Sequence, residues 1–119
     1  MAGTGPVESS EEPYAAASFD VADVNTNEPC LFVHGEIDVS TSPAMREQLQ
    51  RLIDGGAQRL AIDFRDMSFI DSSGLGVLVG ILRRLRERGG SDLVVRELQE
   101  APRRVFEITG LDRLFTIEN

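Results

Sequence analysis

The sequence predicts an α/β fold: a single domain with a mixed four- to five-stranded sheet packed by three or four helices. Three observations carry that prediction. Short apolar runs of strand length alternate with longer segments whose apolar residues recur every three or four positions. Gly-Gly, Ser-Pro and Asn-Glu-Pro clusters punctuate the alternation. The chain has 119 residues, enough for one core and by default one domain.

Met1 to about Ser18 mixes Gly, Pro, Ser, Glu and Ala without a usable period and reads as a disordered tail, so the domain is placed at 19–119. Phe19 to Val24 roughly alternates and suits a half-buried strand. After the turn cluster Asn25 to Pro29, the run Cys30 to Val33 continues into His34-Gly35-Glu36-Ile37-Asp38. Two such runs joined by a short turn predict an antiparallel pair. Ser42-Pro43 reads as an N-cap followed by proline in the first turn. Met45, Leu49, Leu52 and Ile53 then give one apolar stripe, stopped by Gly55-Gly56.

Leu60, Ala61, Ile62 and Phe64 form a buried strand, and Arg65 to Phe69 reads as a connection. From Leu75 to Leu85 a second helix carries Leu78, Val79 and Leu82 inward, with Val77 and Ile81 widening the stripe. Gly76 and Gly80, one turn apart, are expected to let it approach the sheet closely. Arg83, Arg84, Arg86 and Arg88 crowd its last turns, where positive charge suits the helix dipole. Leu93 to Val95 is another strand. Pro102 opens a third helix with Val105, Ile108 and Leu111 inward, Gly110 breaks it, and Phe115 to Ile117 ends the chain as an edge strand or core cover. Strand–helix–strand steps imply parallel neighbours, while the opening pair makes the sheet mixed.

Composition narrows the function. The formal net charge is −8, a poor match for nucleic-acid phosphates and a good one for a basic partner surface. Cys30 is the only cysteine, so neither a disulfide framework nor a cysteine metal cluster is expected, and a reducing cytoplasm fits. No run of about 18 apolar residues occurs, so no membrane span is expected. His34 is the only histidine and no G-x-S-x-G elbow surrounds either serine of Asp71-Ser72-Ser73, which argues against a hydrolase. Gly74-x-Gly76-x-x-x-Gly80 has the wrong spacing for a dinucleotide loop, and the chain has no lysine for a P-loop.

What remains is Asp71-Ser72-Ser73 at the start of a helix, followed by two small glycines. The plainest reading is that one serine is the N-cap, and helix-start capping is also the plain reading of Asp71. Yet one cap needs one serine, and there are two. A helix start also suits a phosphate, because its N–H groups lack partners and the dipole is positive there.

Here the residues resemble a known family. Asp71-Ser72-Ser73-Gly74-Leu75-Gly76, preceded by the strand Leu60 to Phe64, is similar to the signature of the STAS domain in bacterial anti-sigma factor antagonists. Gly35-Glu36-Ile37-Asp38-Val39-Ser40-Thr41-Ser42-Pro43 resembles the family's turn into its first helix. Val105 to Phe115 resembles its last helix and exit. The three motifs are ordered and spaced correctly and cover about Phe19 to Glu118.

The resemblance implies a switch rather than an enzyme. The second serine, Ser73, would be phosphorylated, and Asp38, Thr41, Asp71, Ser72, Ser73 and Gly74 would meet the partner. That partner would be an anti-sigma factor that is also a serine kinase; ATP belongs to it, and this chain needs no cofactor. A phosphatase would reset the state. Two rival readings stay open: an accessory or scaffold subunit of a transporter or signalling complex without a phosphorylation cycle, and a small enzyme or ligand-binding domain. A homodimer is also open.

Overall fold

The computed structural model describes residues 17–118. Five strands and three α-helices follow one another as β1 (Ala17–Ala22), β2 (Cys30–Ile37), α1 (Ser42–Asp54), β3 (Leu60–Ile70), α2 (Ser72–Glu87), β4 (Leu93–Arg96), α3 (Glu100–Thr109) and β5 (Thr116–Glu118), with a 3-10 turn at Leu111–Arg113 before the last strand. The expected tail lies outside the described residues, except that Ala17 and Ser18 already belong to β1. At its other end β1 stops at Ala22, where Asp23 turns to a positive φ.

The strands sit in the sheet in chain order. β1 runs antiparallel to β2, and all later neighbours are parallel, so each helix returns the chain to the next strand along. One core joins the inward residues of all three helices to one face of the sheet, including Leu31, Val33, Ile62, Phe64, Met45, Leu49, Leu78, Ile81 and Phe106. Burying each such side chain stabilises the fold by roughly 1.5–3 kcal/mol relative to exposure. Phe106 and Phe115 add an edge-to-face contact, ring centroids 6.1 Å apart. The other face has only a small cluster of Cys30, Ala61 and Val94 with Phe32, and among the described residues no helix covers it.

Several expectations need correction. Arg65 to Phe69 is strand, not connection. Asp66 pairs with His34, Met67 with Gly35 and Phe69 with Glu36, and two register shifts absorb the extra residues of β3. Such bulges destroy the two-residue alternation, which is why the pattern looked irregular. Ser42 is not an N-cap: Thr41 holds that position, and Ser42 is the buried first residue of α1. α3 starts at Glu100, so Pro102 lies within its first turn, where a missing N–H costs nothing. Ile108 faces solvent, since it lies roughly 200° around the helix from buried Phe106. Gly76 and Gly80 are also exposed, and a Cβ on either would meet nothing within 4 Å. They lie on the outer side of α2, away from its core stripe.

Candidate functional site

β2 and β3 lie side by side and parallel, so their C-terminal ends share one edge of the sheet. Ile37 pairs with Ile70, and the Asp71 N–H donates to the Ile37 carbonyl at 3.1 Å. That bond holds the turn into α1 against the turn into α2. The structure thereby brings together the sequence-predicted residues Asp38, Thr41, Asp71, Ser72, Ser73 and Gly74.

The first turn is tied internally. Asp38 Oδ1 accepts from the Ser40 hydroxyl at 2.7 Å, the Ser40 N–H at 2.9 Å and the Thr41 N–H at 3.1 Å. Thr41, buried, donates its hydroxyl to the Glu36 carbonyl at 2.8 Å and accepts the Asp38 N–H at 2.9 Å. Donors crowding one carboxylate favour its ionised form. The Ser40 hydroxyl and then the Ser40 backbone N–H accordingly hold the Asp38 carboxyl below its ordinary range.

The second turn is arranged differently. Asp71, in extended conformation, is the N-cap of α2, and its Oδ1 accepts the N–H groups of Ser73 at 2.8 Å and Gly74 at 3.4 Å. The expectation of a serine cap is therefore corrected: the residue one position earlier has the carboxylate geometry to reach both donors. The same finding fills the N–H positions on which a phosphate was expected to rest. Ser72 is exposed and Ser73 half-buried, and neither hydroxyl bonds to another described residue. Gly74 is buried where α2 meets the ends of β2 and β3. A Cβ there would stand 2.6 Å from Ile37 Cγ2 and 2.7 Å from Ile70 Cγ1, so only glycine fits without movement.

The surroundings are acidic. Glu36, Asp38 and Asp71 lie at the two strand ends, with Asp66 further back on β3, and Arg46 of α1 lines a groove with Gly76 and Val77 of α2. Two large apolar side chains, Val39 and Phe69, are exposed at the strand ends. Sequence reasoning passed over both. The signal for Phe69 was present, an aromatic two residues before the serine motif, but it lay in a stretch read as a connection. His34 stands further back on the helix-free face, with Nε2 3.0 Å from Asp20 and Nδ1 3.1 Å from Asp66. Among the described residues no cluster of His, Cys, Asp and Glu is arranged to hold a metal ion, and no helix is long and apolar enough to cross a membrane.

A single sheet with helices on one face, and an Asp-Ser-Ser-Gly turn at its edge, define a protein class. The STAS domain model matches residues 21–119, and the chain belongs to that family. More particularly, it is 43% identical over 93 residues to the anti-sigma-B factor antagonist of Bacillus subtilis, covering 78% of this chain and 84% of that one. Against the anti-sigma-B factor antagonist of Listeria monocytogenes it is 39% identical over 102 residues, covering 86% and 89%. An anti-sigma factor antagonist from Mycobacterium paratuberculosis superposes with a TM-score of 0.75 at 28% identity, over 91% of this chain and 90% of that one. SpoIIAA in its unphosphorylated form gives 0.73 over 86% and 89%, and at 23% identity that likeness speaks for the fold alone.

Proposed function

We propose that this chain is an anti-sigma factor antagonist switched by phosphorylation of Ser73. Unmodified, it binds an anti-sigma factor and thereby frees the sigma factor. The anti-sigma factor, acting as a serine kinase with its own ATP, phosphorylates Ser73 and ends the interaction, and a phosphatase restores it. The chain is substrate and ligand in this cycle, not catalyst. Its relatives' names support the antagonist role.

One observation carries the switch. Asp71 caps α2, so Ser72 and Ser73 stand beside the cap with hydroxyls that bond to no other described residue. A group that the fold does not need can be modified without unfolding the domain. Phosphorylation adds nearly two negative charges and three acceptor oxygens. Those charges arrive on an edge that is already acidic and meet whatever has docked there. A penalty of about 3–4 kcal/mol lowers affinity several-hundred-fold, enough for a two-state response.

The test is direct. The chain is incubated with the recombinant anti-sigma factor of its host and ATP, and the modified residue is located by mass spectrometry. Modification at Ser73 that disappears in Ser73→Ala supports the assignment; modification persisting there removes it. A Ser73→Asp variant that binds as tightly as the parent would end the switch.

A further inference from the structure

The exposed apolar side chains beside the serines have no role inside the domain. Val39 is 75% exposed at the tip of the turn into α1, and Phe69 is 47% exposed near the end of β3. Their positions are fixed by the sheet. Phe69 pairs with Glu36 and precedes buried Ile70, so its ring projects on the helix-free face while Ile70 enters the core. Val39 follows Asp38, whose three bonds to Ser40 and Thr41 hold the turn rigid. The two apolar groups thus lie at the same sheet edge as Ser72 and Ser73.

We infer that Phe69 and Val39 are the apolar anchors of the docking surface, and that the occupant is an anti-sigma factor presenting an apolar pocket rimmed by arginine or lysine. The inference rests on the antagonist reading and deepens it. Charge decides between occupants. Glu36, Asp38 and Asp71 stand at the same sheet edge as the anchors and outnumber Arg46, which lines the groove between α1 and α2, so a basic rim is complementary. A second copy docked edge to edge would set the same acids against one another, and nucleic acid would add phosphates to them.

The anchors also explain why a phosphate at this place would be decisive. Aromatic side chains seated in a pocket exclude water from their neighbours. A phosphoserine at the same edge loses hydration when Phe69 is seated. Without the ring in place, water returns and the same phosphate costs less. Phe69 and the charge on residue 73 are therefore coupled through the interface.

Affinity of the recombinant host anti-sigma factor is measured by titration for the parent, Phe69→Ser, Val39→Ser, Ser73→Asp and the double variant Phe69→Ser with Ser73→Asp. Ile108→Ser on α3, 78% exposed, serves as the control. Circular dichroism confirms that each variant folds. Phe69→Ser is expected to weaken binding about 30-fold or more and Val39→Ser about 5-fold, while Ile108→Ser stays within about 2-fold. The Ser73→Asp penalty, about 100-fold or more in the parent, should fall below about 10-fold when Phe69 is already replaced. Phe69→Leu, which keeps an apolar anchor, should recover most of the affinity. If Phe69→Ser and Val39→Ser bind like the parent while Ser73→Asp does not, the anchor inference fails and the antagonist reading survives. If Ser73→Asp binds like the parent, the switch fails, whatever the anchors do. No binding by the folded parent removes both.

Discussion

Two strand-to-helix turns meet at the edge of this sheet, built from the same kinds of residue and left in opposite chemical states. Asp38-Val39-Ser40-Thr41 turns its side chains on itself: both hydroxyls and one carboxylate oxygen are bonded within the turn or to the strand before it. Among the side chains of Asp71-Ser72-Ser73-Gly74 only the carboxylate bonds to a described residue, and neither hydroxyl does. A serine or threonine beside an aspartate at a helix start is therefore not a site by composition. What separates structure from function is whether the fold needs the hydroxyl, and here Asp71 has made two of them dispensable.

That contrast can be broken or sharpened by substitution. The largest loss of stability should come from Gly74→Val, whose side chain has no room between Ile37 and Ile70. Overpacking of this kind costs roughly 1–3 kcal/mol, with branched side chains at the upper end. Chemical denaturation would read it as a lowered midpoint with unchanged slope. Thr41→Val should follow closely. It leaves the Glu36 carbonyl and the Asp38 N–H without their partner at a buried position, a loss of about 1–3 kcal/mol. A Thr41→Val variant as stable as the parent would mean that the first turn is no more committed than the second.

Asp71→Ala should be milder, about 0.5–2 kcal/mol for a lost cap, and Asp71→Asn should recover much of it. Ser72→Ala and Ser73→Ala should each stay within about 0.5 kcal/mol, since neither removes a bond within the domain. The gap between Thr41→Val and Ser73→Ala is the comparison expressed as a number.

The smallest effect concerns pH. The Asp38 carboxyl is depressed by its donors, so its contribution is full above the unfolded value of about 3.9 and fades as pH falls through the lower folded value. Asp54 is depressed too, chiefly by the Arg84 guanidinium, and fades in the same direction. Comparing melting temperatures of the parent and Asp38→Asn isolates the former: their difference should shrink on acidification below about pH 4. A constant difference would show that the charge on Asp38 is not what holds the turn.

Much of this was legible in the sequence, and the exceptions share causes. Apolar period and turn residues placed the three helices and the first four strands at least in part, because one covered sheet face and three amphipathic helices leave clear patterns, while the short last strand stayed open between edge strand and core cover. The bulges in β3 hid five strand residues, since an extra residue resets the alternation that identifies a strand. The predicted site residues do converge, because parallel neighbours bring successive strand ends to one edge. Which residue caps α2 was not readable: Asp, Ser and Ser are all good caps, and only the backbone conformation at Asp71 decides. The roles of Gly74 and Gly76 were exchanged for a similar reason. Spacing cannot tell the inner side of a first helical turn from the outer until the cap is known.

The carboxylate of Asp71 has one more consequence. It already occupies the positive mouth of α2, so a dianion on the next-but-one residue, as the proposed switch requires, would find that seat taken and turn outward. The domain would then neither absorb nor refold around its own mark. Writing or erasing the message would demand no rearrangement of the messenger, and the tempo of the response would be left to the enzymes that add and remove it.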